Sequence, residues 1–447
     1  IETFGSIYYP EMDRDRIPGA FLYSNEQGFF VEFEMPFTQG PDEIAFLWGE
    51  FNQLGYVTCV SNRLVSLNFG TGGNRCRYRI SNLFSGAHFE NEKELVFNHA
   101  IFRIDSLSDW FNIRTIKHIS NPRSIGFGDL KQIEIEIPGF RKSYFSFGYA
   151  LSTSRQSTSI KEVVSFNLES DIPQNFWDFY SIVIKIKKLF ALLCEYPLDI
   201  EEIAFYNDSL KYIFNKEEID RRVEIKLFDN RKPLDSCPTS GFLSIEYLDI
   251  ENSFGHLINK WLILSEDNVA IDLLMEKAYN KELSLRTYFL NLCMSLEILH
   301  KKYISNRRFD DEDFNEIKSH ILSVVTLEKA KEWIINKLAL GNQPSLKDRL
   351  LYFLDDFRAI NKIDSANLIN RIVQTRNYIT HSSAKKQHLI KEPIELYLVS
   401  LTLETVIKGN LLLEMGLEKD DIIKMYEKAN AKIERIRKHN KINLTAN

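Results

Sequence analysis

The hydrophobic period changes along this 447-residue chain, and that change limits what each half can fold into. In the first 170 residues, apolar side chains recur at every second position. Phe29, Val31 and Phe33 alternate with Glu32 and Glu34, and Ile133, Ile135 and Ile137 with Glu134 and Glu136. A period of two places one face of each segment in a core and the other in water, which predicts half-buried strands. Residues 19–37 read as two strands around a turn at Asn25–Gly28, and residues 43–60 repeat the pattern around Asn52–Gly55. The glycine-rich FGTGGN at 69–74 lacks the Lys-Ser/Thr ending and the following helix of a phosphate loop, so it is expected to be a hairpin turn.

The period becomes helical from Asn175 to Tyr196. Short strands follow, including 221–230, and a surface loop is expected from Pro233 to Gly241. From about Asn268 onward only helical patterns remain. Ser284 can cap a helix bearing Leu285, Tyr288, Phe289, Leu292, Leu296 and Leu299. Asp310–Asp313 load negative charge onto the start of another helix, where the macrodipole favours it. Pro344-Ser345 and Asp364-Ser365 open two more, Pro393 opens an apolar helix that stops at Gly416, and a charged helix runs to about His439. Six antiparallel helices of this kind make a bundle. The expected fold class is α+β multidomain: a β-rich region over residues 1–265, subdivided near 170, followed by an all-α bundle over residues 266–447.

Charge follows the same division. Residues 281–447 carry 28 Lys and Arg against 22 Asp and Glu, a net of +6; the first 280 carry 28 against 40, a net of −12. That asymmetry suits a nucleic-acid-facing C-terminal region and an N-terminal region with another task. The cysteines Cys59, Cys76, Cys194, Cys237 and Cys293 are odd in number and never paired as C-x-x-C, which points to a reducing cytoplasm. The most apolar stretch, 182–193, is broken by Lys185, Lys187 and Lys188, so a membrane span is not expected, and the opening IETFGSIYYP has neither the basic nor the apolar region of a signal peptide.

The chemistry-bearing pattern is RNYITH at 376–381. Asn377 and His381 are i and i+4 on one helix, with Thr380 beside them. Arg376 lies about 140° round the helix from His381, within reach of a long side chain. RNA cleavage needs such a set: a base that titrates near neutrality for the 2′-hydroxyl, and a fixed positive charge at the phosphorane. No metal ligand set, cofactor motif or protein nucleophile is called for. The competing reading is a solvated helix end, since Ser382-Ser383 follow. Two near matches, Arg114…His118 and Arg435…His439, are one residue short.

An all-helical domain with R-N-x-x-x-H late in its bundle resembles the HEPN domains. The helix YFLNLCMSLEILHKKY (288–303) resembles the first main helix of their ApeA-like branch, with Glu297 at the acidic position. In the N-terminal region GAFLYSNEQG, FLWGEFNQLGYVTCVSN and SGAHFENEKELVFNHAIFRIDSLSDWF resemble the ApeA N-terminal domain, in that order. The resemblance implies a bacterial anti-phage factor whose HEPN domain is a toxic, metal-independent endoribonuclease. It implies a homodimer with the two motif helices facing each other. It also implies catalytic roles for Arg376, Asn377 and His381, with Glu297 in support; Thr380, beside them on the helix, is a further supporting candidate. Lys301, Lys302, Arg307, Arg308, Lys385 and Lys386 are candidates to guide RNA. HEPN toxins regulated by AMP transfer carry a Tyr two residues after the His; Ser383 stands there, so that regulation is not expected. Host or phage RNA, tRNA loops among it, is the expected substrate, and a phage protein the expected trigger at the N-terminal region. Two other readings stay open. The bundle could bind RNA or a protein without cutting, or it could oligomerise an N-terminal domain that binds a phage component.

Overall fold

Alternation becomes a barrel through pairings distant in sequence. The computed structural model describes residues 2–10, 16–24, 28–35, 42–70, 73–104, 107–120, 123–128, 130–214, 217–229, 245–280, 282–304, 306–361, 365–381, 390 and 392–439. Strands β1 (Glu2–Tyr8), β2 (Ile17–Ser24), β3 (Gly28–Met35), β4 (Glu43–Phe51), β5 (Gly55–Gly70) and β6 (Gly73–Ser85) are all antiparallel. They pair in the order β6-β3-β2-β1-β4-β5, and β5 returns to β6 to close the ring. Closure leaves no free edge among them. Val31, Leu47, Val57, Tyr78, Ile80 and Leu83 fill the interior. Gly55 opens β5 with φ +66°, a left-handed conformation that explains a glycine after Leu54. The 69–74 stretch is a hairpin, with Gly70 opposite Gly73.

The sheet continues beyond β6. Its further strands are β7 (Val96–Ile104), β10 (Gln132–Ile135), β11 (Lys142–Thr153), β12 (Thr158–Asn175), β13 (Ile200–Tyr206) and β16 (Ile225–Asp229). From β6 they run β16-β13-β7-β12-β11-β10. Two separate hairpins are β8 (Ile116–Ser120) with β9 (Arg123–Phe127), and β14 (Lys211–Phe214) with β15 (Glu217–Arg222). Helix α1 (Leu107–Phe111) and α2 (Phe176–Cys194) supply the covering layer. Phe190 of α2 meets Trp110, Phe111 and Phe145 with ring centroids 5.1–5.8 Å apart. Most of the aromatic surplus is therefore core.

Residues Ile1–Phe190 and Tyr196–Gly241 form one compact unit; Ala191–Glu195 and Phe242–Asn447 form the other. The second unit holds ten α-helices among the described residues: α3 (Tyr247–Ile250), α4 (Phe254–Leu264), α5 (Val269–Tyr279), α6 (Leu285–Leu299), α7 (Asp311–Val324), α8 (Glu328–Leu338), α9 (Leu346–Asn361), α10 (Ser365–His381), α11 (Pro393–Glu414) and α12 (Lys419–His439). The six expected helices are among them. The compact units divide at 241/242, whereas the sequence pattern placed its boundary at 265/266. Helix α4 accounts for the difference: Phe254, Leu257, Ile258 and Trp261 are buried. Its last carbonyl, on Leu264, accepts from Asn268 Nδ2 at 2.8 Å and from the Tyr303 hydroxyl at 3.3 Å.

The helix ends follow local chemistry. Ser284 Oγ accepts from Thr287 N–H at the start of α6, and Asp310 accepts from Asp313 N–H at the start of α7. Gly416, at φ +92°, ends the α11 turn. Asp364 and the 233–241 segment lie outside the described residues. Helix α11, not the 182–193 stretch, is the one described helix long and apolar enough to cross a membrane, and 67% of its most apolar window is buried inside the protein. Its Gly409 lets the Tyr426 ring of α12 approach so closely that a Cβ would overlap it.

Candidate active site on the helical unit

The motif helix is anchored by its apolar residues and leaves its polar ones near the surface. Ile369, Ile372 and Thr375 of α10 are buried, and Thr375 Oγ1 accepts from Ile390 N–H at 3.3 Å. One residue further, about 100° round the helix, Arg376 is partly exposed. Its Nη2 donates to Glu297 Oε1 at 3.2 Å and its Nη1 to Asn377 Oδ1 at 3.4 Å. Glu297 stands near the end of α6, whose buried face is Tyr288, Phe289, Leu292, Cys293, Leu296 and Leu299. The contact thus brings together two residues 79 positions apart, each on a well-anchored helix.

Both partners of this ion pair keep about a third of their side chains in water, 27% for Arg376 and 33% for Glu297. Exposed pairs of this kind contribute about 1 kcal/mol or less. The guanidinium is oriented but weakly held, and it can exchange a carboxylate for another anion at small cost. Thr380 returns its hydroxyl to the Arg376 carbonyl at 2.6 Å, bonding back along the helix rather than into the site. His381 is the last residue of α10 and is exposed; among the described residues it makes no hydrogen bond or ion pair. Arg376, Asn377 and Glu297 are brought together, and His381 sits one turn beyond Asn377.

The candidate RNA-guiding cations differ among themselves. Lys301 and Lys302 are exposed, with Lys302 lying 5.5 Å from the Tyr303 ring centroid. Arg307 pairs with Asp311, and Arg308 lies 3.6 Å from Asp348. Lys385, Lys386 and Ser383 lie outside the described residues. The near match at Arg114 is absorbed by the β unit, where Arg114 donates to Glu162 at 2.9 Å.

Sequence reading missed two residues beside the site. Arg349 of α9 and His300, in a π-helical turn at His300–Ile304, are both buried. Arg349 Nη1 donates to the Glu297 carbonyl at 2.9 Å and lies 3.5 Å from His300 Nδ1. An arginine can only donate, so that ring nitrogen serves as an acceptor. The available signal was position: Arg349 falls on the apolar stripe of α9 with Leu350 and Phe353, where a cation must find partners or pay for its desolvation. Cys293, one turn before Glu297, is a thiol that burial pushes up to about 12, so it is no nucleophile at neutral pH.

A closed β-barrel unit and a helical unit that presents Arg-Asn-x-x-x-His beside a glutamate describe a two-part protein of the HEPN class. Residues 2–261 match the family model for ApeA N-terminal domain 1, and residues 290–421 match that for the Apea-like HEPN domain. The first match spans more than half of the chain, and the chain belongs to the ApeA family. The second includes Glu297, Arg349, Arg376, Asn377 and His381. No curated protein and no solved structure matches the chain.

Proposed function

We propose that the helical unit is a metal-independent endoribonuclease and that the protein acts in anti-phage defence. HEPN domains generally carry RNase activity, which supports a ribonuclease role for this one. The observation that carries the reading is the half-open pairing of Arg376 with Glu297 and Asn377, beside the His381 end of the same helix. In the proposed reaction the substrate 2′-hydroxyl oxygen attacks the adjacent phosphorus. The P–O2′ bond forms, the P–O5′ bond breaks, and the products are a 2′,3′-cyclic phosphate and a free 5′-hydroxyl. His381 takes the 2′-hydroxyl proton, Arg376 holds the charge that grows on the phosphorane oxygens, and Asn377 orients the phosphate.

Two protons move in this reaction, one off the nucleophile and one onto the leaving oxygen. A single His381 is poorly placed to do both at once, and a homodimer with two motif helices across one cleft supplies a second imidazole. RNA, including tRNA loops, is the proposed substrate because unpaired loops offer in-line geometry that duplex RNA does not. The acidic N-terminal region is proposed to sense a phage protein and to restrain the nuclease until then. Its net of −12 against +6 makes it a poor RNA platform.

The test is incubation of the purified protein with total RNA in EDTA, in parallel with His381→Ala. The expected products carry 2′,3′-cyclic phosphate ends, and a substrate with 2′-deoxyribose at the cut site resists. Cutting of the deoxy substrate would rule out the 2′-hydroxyl as nucleophile. Mixed dimers of Arg376→Ala and His381→Ala chains test the shared cleft, where partial recovery of cleavage is expected.

A further inference from the structure

We propose that Arg349 is a positioning residue for this site: it holds the last turn of α6 so that Glu297 meets Arg376. The inference rests on the ribonuclease reading and adds a residue the motif does not contain.

Arg349 is 6% exposed, and among the described residues no carboxylate lies within ion-pair distance of it. Its donors instead divide among three separate pieces of chain. Nε donates to the Pro344 carbonyl at 3.1 Å, Nη2 to Asn306 Oδ1 at 3.2 Å, and Nη1 to the Glu297 carbonyl at 2.9 Å. The Glu297 and Asp348 carboxylates favour the Arg349 charge through space, but neither is in contact and burial outweighs them; a position that needed only packing is better served by an apolar side chain of similar size. Donors at fixed angles to three acceptors are what the planar arginine fork provides; the three donors of a lysine share one rotating nitrogen.

The place where this fork acts is the least self-sufficient part of α6. The regular ladder ends at Leu299 and a π-helical turn follows from His300 to Ile304. Such turns depart from the repeating hydrogen bonds that fix a helix and recur near functional sites. Arg349 bonds to Glu297 before the turn and to Asn306 after it, bridging both ends from α9. The Glu297 side chain leaves the same residue and accepts from Arg376 Nη2 at 3.2 Å. Arg349 therefore reaches the reacting region through the Glu297 backbone, with Glu297 as the intermediary.

A double-mutant cycle on the full-length protein tests this. Arg349→Lys keeps the charge and removes the fork, and Glu297→Gln removes the carboxylate partner of Arg376. Each single variant is expected to lower kcat about 10-fold with KM changed less than about 2-fold, the size of coupling seen for residues in one network. The double variant is expected to match the singles, because both changes break one arrangement. The side-chain Nε–H resonance of Arg376 in arginine-labelled protein should move to a common position in all three variants. Additive losses in kcat, or an Arg376 resonance unmoved by Arg349→Lys, would overturn the positioning role. A wild-type protein that leaves RNA intact removes the ribonuclease reading instead, and the resonance still reports whether Arg349 sets the Glu297–Arg376 contact. Arg349→Met, judged only on samples with an unchanged melting temperature, should lose at least as much kcat as Arg349→Lys.

Discussion

Two ion pairs in the helical unit use the same chemistry to opposite ends. Lys408 and Glu404 are i and i+4 on α11, 2.8 Å apart, with side chains 9% and 22% exposed. The Tyr288 hydroxyl also donates to Glu404, and Lys277 lies 4.1 Å from the Tyr288 ring centroid. Burial alone raises the Glu404 carboxyl, but Lys408, Tyr288 and Lys277 outweigh it and its net shift is downward. The same burial lowers the Lys408 ammonium, and Glu404 with Glu195 carry it upward overall. Arg376 and Glu297 are 3.2 Å apart on different helices, more open to water and with fewer partners. The first cluster encloses Lys408 almost wholly and holds the unit together. The second leaves a cation oriented by two contacts and about a quarter exposed.

The largest expected effect lies in the cluster around buried Lys408. Glu404→Ala strands the buried Lys408 and should destabilise the protein by about 3–5 kcal/mol, the usual cost of removing one partner of a buried pair. Denaturant melts measure it, and a loss below about 1 kcal/mol would make the two pairs equivalent.

Arg376→Ala should do the reverse. On the proposed role, cleavage is expected to fall about 10²–10³-fold, the loss typical of a transition-state donor, while stability stays within about 1 kcal/mol of wild type. Cleavage kinetics and melts on the same preparation decide it. Equal stability losses in Arg376→Ala and Glu404→Ala would break the contrast.

The Glu404–Lys408 pair also carries a pH dependence. Glu404 has a folded value below the unfolded one, so its contribution is complete above the unfolded value of about 4.3 and is lost as pH falls through the lowered folded value. Lys408 has a raised folded value, so its contribution is complete below the ordinary lysine value of about 10.4 and is lost as pH rises through the raised one. Acid melts of wild type should show this loss, and Glu404→Gln should flatten the acid slope. An unchanged slope would mean that Glu404 is not held ionised in the fold.

The smallest effect is expected at Arg307, whose pair with Asp311 is exposed on both sides. Arg307→Ala should shift stability by about 0.5 kcal/mol or less, and any larger change would give that surface pair a structural role.

The spacing of the motif was legible, since i,i+4 positions put Asn377 and His381 on one helix face, and Glu297 was singled out only by the family resemblance. Arg349 was not legible, because a cation on an apolar stripe is explained only by acceptors that α6, Asn306 and Pro344 bring to it. The Glu404–Lys408 pair misleads in the other direction. Its i,i+4 spacing reads as a solvated helix face, and only the packing of α6 against α11 buries it.

The chain alone determined what depends on neighbouring residues. Period-two alternation specified strands, the caps at Ser284 and Asp310 started helices, and glycines at Gly55 and Gly416 set turns, since each is a contest within a few residues of backbone. Tertiary structure decided the rest: the return of β5 to β6 beside β3 that closes the barrel, the burial of α4 with the helical unit, and the contact of Glu297 with Arg376. These depend on which surfaces meet across tens of residues. The free energy of such encounters lies in desolvation and shape, which local sequence pattern does not record.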